Sequence, residues 1–200
     1  GVTTITTGYS VVWNGSIWVG VGKTDTPAVG SVFSYSYDGI VWNSSSGITS
    51  GMTTGYSIVW NGSKFVASGN GGSTTTVFGY SYDGINWIGG ITSPSITTGY
   101  SIGWNGILFV AGGTIGSPAV GSVFVYSSDG ITWSSSTGST ITICNSVAWN
   151  GIRWVGVGNI ESPAVGSVFV YSNDGVTWTG SITSPSITVG YSVAWNGLLF

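Results

Sequence analysis

Along this chain, apolar and polar residues alternate in short runs, and turn-forming residues interrupt them at regular intervals. "GYSVVW" (8–13) ends at Asn-Gly, "SIWVGVG" (16–22) follows it, and "SVFSYSY" (31–37) runs into Asp-Gly. Aromatic and β-branched residues fill the runs, and Gly, Asn, Asp, Ser or Pro bound them, which is a strand pattern. No segment carries a sustained helical period with caps at its ends. The pattern predicts an all-β protein in which strands A, B, C and D follow one another, with D starting at the tryptophan after Asp-Gly.

The pattern repeats. Trp-Asn-Gly begins at Trp13, Trp60, Trp104, Trp149 and Trp195, at spacings of 47, 44, 45 and 46. Asp-Gly begins at Asp38, Asp83, Asp129 and Asp174, at spacings of 45, 46 and 45. A period near 45 residues is that of one four-stranded propeller blade. The spacing predicts a single β-propeller domain over 1–200, with blade units at about 8–54, 55–98, 99–143 and 144–189 and a partial fifth at 190–200. A linear β-solenoid-like stack is the other architecture this period allows.

A longer period overlies the first. Trp13, Trp104 and Trp195 are 91 residues apart, and "GGITSPSITTGYS" (89–101) reappears as "GSITSPSITVGYS" (180–192). The other two connections share a Ser-rich start instead, so a pair of blades reads as the duplicated element. The leading "GVTTITTGYS" and the closing "WNGLLF" read as a window on a longer array.

Composition narrows the chemistry. Only 4% of residues are charged, against a typical ~25%. Lys23, Lys64 and Arg153 are the only basic residues, too few to neutralise a row of phosphates, so no nucleic-acid partner is expected. No apolar stretch is long enough for a membrane helix, and no signal peptide is visible. The single cysteine, Cys144, stands where other repeats have Gly, which predicts a small buried residue. A surface this poor in charge suits an exterior or assembled structure better than crowded cytosol, where charge keeps proteins apart.

Four octets, "YSYDGIVW" (35–42), "YSYDGINW" (80–87), "YSSDGITW" (126–133) and "YSNDGVTW" (171–178), hold four of the six acids. A two-residue Asp-Gly hairpin of type I′ is the direct expectation, with the aspartate folded onto nearby N–H groups and the tryptophan as an apolar plug. The octets resemble the Asp-box of BNR-type β-propellers, Ser-x-Asp-x-Gly-x-Thr-Trp, which lies between strands C and D. Ser36, Asp38, Gly39 and Trp42 match it, as do Ser81, Asp83, Gly84 and Trp87. Ser127, Asp129, Gly130, Thr132 and Trp133 match more fully, and so do Ser172, Asp174, Gly175, Thr177 and Trp178. One residue fewer separates Asp from Gly than in that family, so a tighter turn is expected. The resemblance implies structural fasteners away from any catalytic face. The alternation of "WNG" and "YSYDG" is also similar to repeat arrays in giant-virus proteins, which implies a source rather than an activity.

With those carboxylates assigned to folding, little remains for chemistry. Asp25 and Glu161 sit in corresponding loops of different blades, there is no histidine, and one arginine cannot build a sialidase site. No catalytic residue, metal or cofactor is expected. Every tryptophan has a repeat-wide slot: five in Trp-Asn-Gly, four in the octets, and Trp18 and Trp154 at a strand B position shared with Phe65, Phe109 and Phe200. The sequons at Asn14, Asn61 and Asn43 read as chance, the first two asparagines being engaged in turns. The expected function is a non-enzymatic structural or recognition module of an extracellular or virion-surface protein or fibre, with copies of itself or neighbouring repeats as partners. The alternative is a lectin-like propeller with one shallow glycan site per blade.

Overall fold

The computed structural model describes residues 5–24, 31–46, 51–72, 76–93, 95–116, 121–160, 167–182 and 187–200. It divides into two compact halves, Gly1–Thr92 and Ser93–Phe200. Asp25 and Glu161 lie outside the described residues.

The first half holds two antiparallel meanders, β1 (Thr7–Trp13), β2 (Trp18–Lys23), β3 (Phe33–Ser36) and β4 (Asn43–Ser44), then β5 (Thr54–Trp60), β6 (Phe65–Asn70), β7 (Thr76–Ser81) and β8 (Ile88–Thr92). The second half holds two more, β9 (Ile96–Trp104), β10 (Phe109–Ile115), β11 (Phe124–Ser127) and β12 (Ser134–Ser135), then β13 (Ile143–Trp149), β14 (Trp154–Asn159), β15 (Phe169–Ser172) and β16 (Thr179–Gly180). Each meander is one sequence repeat, numbered 1 to 4 below. The fourth strand starts one residue after the octet tryptophan rather than at it, and in three of four repeats it is two residues long.

Each repeat opens with the same hairpin. The asparagine of Trp-Asn-Gly uses Oδ1 to accept two backbone N–H groups, Ser16 and Ile17 at 2.9 and 2.8 Å in repeat 1, with Asn61, Asn105 and Asn150 doing likewise. The glycine after it has φ near +100°, open to a residue without Cβ at the first position of a two-residue loop. Aromatic side chains then meet across the hairpin: Trp13–Trp18, Trp60–Phe65, Trp104–Phe109 and Trp149–Trp154, with ring centroids 4.3–5.2 Å apart. A bulge at Tyr9, Tyr56, Tyr100 and Asn145 shifts the ladder by one residue.

The expected partial fifth unit, 190–200, carries the turn of the other repeats without their ladder. The Asn196 turn forms, and Trp195 packs on Phe200 at 5.1 Å, yet residues 190–200 make no strand. Just before it, among the described residues, Val189 bridges to Asn159.

Val, Ile, Phe and Trp side chains fill the interior of each half. In the first, Val19, Val21, Phe33, Phe65 and Trp87 form one cluster; in the second, Val110, Phe124, Cys144, Trp154, Val170 and Trp178 form another. Cys144 is fully buried as its small-residue slot predicts, and burial pushes its thiol well above the ordinary value. One exchange of volume makes room for it. Where strand β2 has Val21, the facing first strand of repeat 2 has Gly55, whose added Cβ would lie 2.9 Å from that of Val21. Where the first strand of repeat 4 has Cys144, the facing position on β10 is Gly112. Large faces small at both junctions, with the order reversed.

Candidate functional site

The four octets share one geometry. The last ladder pair before each loop is Tyr35↔Asn43, Tyr80↔Ile88, Tyr126↔Ser134 or Tyr171↔Thr179, which leaves seven residues in the connection. This corrects the type I′ expectation. Gly39, Gly84, Gly130 and Gly175 have φ between +71° and +78°, but no non-glycine residue described has positive φ, so each aspartate keeps an ordinary backbone. The side chain substitutes for the turn: Oδ1 of Asp38 accepts the N–H groups of Ile40 and Val41, both at 2.8 Å, and the Ser36 hydroxyl at 3.0 Å. Oγ of Ser36 in turn accepts the N–H of Gly39 at 2.9 Å. Asp83, Asp129 and Asp174 repeat the arrangement with Ser81, Ser127 and Ser172.

Hydrogen bonds donated to a carboxylate favour its charged form. Asp38 is lowered chiefly by the Val41 and Ile40 N–H groups. At Asp83, Asp129 and Asp174 partial desolvation pulls upward, but the donated bonds outweigh it, and Asp83, with an added Asn86 amide at 2.8 Å, falls to about 2. A carboxylate depressed in the folded state contributes stability that is complete above its unfolded value of 3.8 and is lost as pH falls through the folded value. Stability is therefore expected to decline between about pH 4 and pH 2. Because Asp83 is exposed, its share is on the order of 1 kcal/mol after solvent screening. Denaturant titrations at pH 7, 4 and 2 measure this; in Asp83→Asn the fall between pH 4 and pH 2 should be smaller than in the wild type.

The tryptophans of the octets are not equivalent. Trp87 stacks on Phe33 at 3.7 Å and 14°, and Trp178 on Phe124 at 3.7 Å and 9°, so within each half the first repeat covers the octet of the second. The exit from the fourth strand completes the joint. Ser45 Oγ donates to the Gly84 carbonyl and Ser136 Oγ to that of Gly175, both at 3.1 Å. Ser46 and Thr137 bridge in parallel to Asn86 and Thr177. Sequence inspection found the Ser-rich starts of these connections but not their purpose, because the contact spans 39 residues.

Trp42 is the exception, 37% exposed, with Val41 and Ile40 beside it also in solvent. It borders a cleft of about 730 Å³ with Gly20, Ser34, Gly8 and Val11. A second cleft, of about 640 Å³, lies between repeats 3 and 4 and is lined by hydroxyls of Ser136, Thr137, Ser139 and Thr142 with no ionisable side chain. Among the described residues no three His, Cys, Asp or Glu side chains gather as a metal site would require, and no helix is long and apolar enough to cross a membrane.

No family model and no curated protein matches the chain. Among solved structures it is similar to YCF48 from Cyanidioschyzon merolae, a β-propeller, with a TM-score of 0.58 and 13% identity over 92% of this chain. The match takes in 58% of the YCF48 chain. At that identity the likeness concerns the fold alone: the chain is all-β and propeller-like.

Proposed function

We propose that this chain is a non-catalytic, propeller-like repeat module that works by assembly, with copies of itself or neighbouring repeats as partners. One observation carries the reading: every acid among the described residues is an octet aspartate whose carboxylate is taken up by its own loop. In this reading the octets are fasteners of the Asp-box kind. The scarcity of charge supports it further, since little repulsion opposes contact between copies. An extracellular or virion-surface setting suits such a surface.

Sedimentation velocity of the full chain over a wide concentration range tests this. A concentration-dependent oligomer or ordered fibre is the expected result, and a strict monomer throughout would overturn the reading. A glycan array belongs beside it, because binding at equivalent positions of successive repeats would replace assembly with carbohydrate recognition.

A further inference from the structure

Phe33, Phe78 and Phe124 on the third strands are fully buried, whereas their equivalent in repeat 4, Phe169, is only half-buried. Among the octet tryptophans, Trp42 alone is substantially exposed. Repeat 4 thus offers the phenylalanine half of the joint seen inside each half of the chain, and repeat 1 offers the tryptophan half.

The remaining parts of the joint are also in place. The backbone leaving the fourth strand is set alike in repeats 1, 3 and 4, with Ser45 N–H donating to Phe33 O, Ser136 to Phe124 O and Ser181 to Phe169 O at 3.0–3.1 Å. Ser181 therefore occupies the position from which Ser45 and Ser136 reach the next octet. Ile182, at the position of the bridging residues Ser46 and Thr137, is 95% exposed. On the opposing side the Gly39 carbonyl already accepts Trp42 Nε1 at 3.2 Å, as the Gly84 carbonyl accepts Trp87 Nε1 while also receiving Ser45. The cleft beside Trp42 lies where the internal joint seats a phenylalanine: Phe33 comes within 3.7 Å of an added Cβ at Gly79, and Ser34 is the repeat 1 equivalent of Gly79. Gly8 has nothing within 4 Å of an added Cβ, while its equivalent Gly55 is closed over by Val21.

Resting on the assembly reading above, we propose that two copies of this chain dock head to tail, repeat 4 of one onto repeat 1 of the next. Phe169 stacks on Trp42 of the second copy, Ser181 Oγ donates to its Gly39 carbonyl, and Ile182 bridges in parallel to its Val41. Such an interface pairs two different surfaces, so successive copies close into a ring or run on as a filament.

One segment must yield at this joint. "GYSVAWNGLLF" (190–200) repeats "GYSVVWNGSIW" (8–18), and Gly190 N–H already donates to Gly158 O at 2.9 Å where the next first strand belongs. In the docked pair β1 of the incoming copy takes that place. The incoming β1 carries its six ladder partners on β2 with it, and its Thr7, Gly8 and Val11 stand at the positions from which Val189 bridges Asn159, Gly190 bonds Gly158 O and the Asn145 amide, and Val193 bonds the Ser146 hydroxyl.

Sedimentation velocity on the 200-residue chain as wild type, Ile182→Arg, Val41→Arg and Phe169→Ala tests the interface. Both arginine changes fall at exposed sites, so the fold is retained. Each variant is expected to weaken association at least ~10-fold. Mixing Val41→Cys with Ile182→Cys under oxidising conditions should give a disulfide-linked heterodimer, since the internal counterparts Asn86 and Ser46 touch at 2.9 Å. The buried Cys144 stays out of that reaction. Wild-type association that all three variants leave unchanged, with no cross-linked heterodimer, overturns this docking while the assembly reading stands. A wild type that remains monomeric overturns both.

Discussion

Replacing Trp178 by alanine is expected to destabilise the second half by about 3 kcal/mol, whereas Trp42→Ala costs about 1 kcal/mol. The two residues hold the same place in the octet, and their surroundings differ. Trp178 is 1% exposed, stacked on Phe124, and its backbone N–H donates to Thr137 O at 2.9 Å. Removing it opens a cavity between repeats 3 and 4, against Phe124. The lower end of the usual 3–5 kcal/mol for Trp→Ala applies, because Trp178 Nε1 is buried without a hydrogen-bond partner and its removal relieves that penalty. Trp42 loses mainly its contact over Gly20 and its bond to the Gly39 carbonyl. Denaturant unfolding of both variants, followed by far-UV circular dichroism, separates them. Equal losses would mean that the octet tryptophans act within their own loops and not between repeats.

A volume swap at Gly112 and Cys144 should give the second large effect. Gly112→Val alone drives a side chain into the Cys144 sulfur and is expected to cost about 2–3 kcal/mol through overpacking. Cys144→Gly alone leaves a void among Val147, Trp154 and Phe124 and frees backbone in a strand, at about 1–2 kcal/mol. The double variant recreates the Val21–Gly55 arrangement of the first half and should lie within about 1 kcal/mol of the wild type. The coupling between the sites is then strongly favourable, in the range contacting residues reach. Additive losses in a double-mutant cycle would show that the two junctions pack by different rules.

These residues also show what was legible in the sequence. The 45-residue period and the strand order could be read because strands A to C and the Asn-Gly turn are local structures, set by neighbours in sequence. Cys144 was legible as a small buried residue because it replaces glycine in an aligned register. The octet conformation was not. Asp-Gly between two strands normally signals a type I′ turn, but here the serine two positions before Asp38 and the N–H groups after it hold the aspartate outside left-handed space. The unequal roles of Trp42 and Trp87 were also hidden, since motifs that differ at one residue, Val41 against Asn86, become different when another repeat covers one of them. The 91-residue period was visible, but that Ser45 and Ser136, 91 residues apart, each reach an octet 39 residues on was not, because that contact is tertiary.

The joint between paired repeats consists of backbone hydrogen bonds, serine hydroxyls and an aromatic stack. Coulombic screening has no purchase on such a set, because no ion pair takes part. Brine that dissolves charge-stitched assemblies leaves this coupling intact, and excluded salts such as sulfate tighten it by favouring apolar burial. The coupling between paired repeats is therefore expected to hold across a wide range of ionic strength.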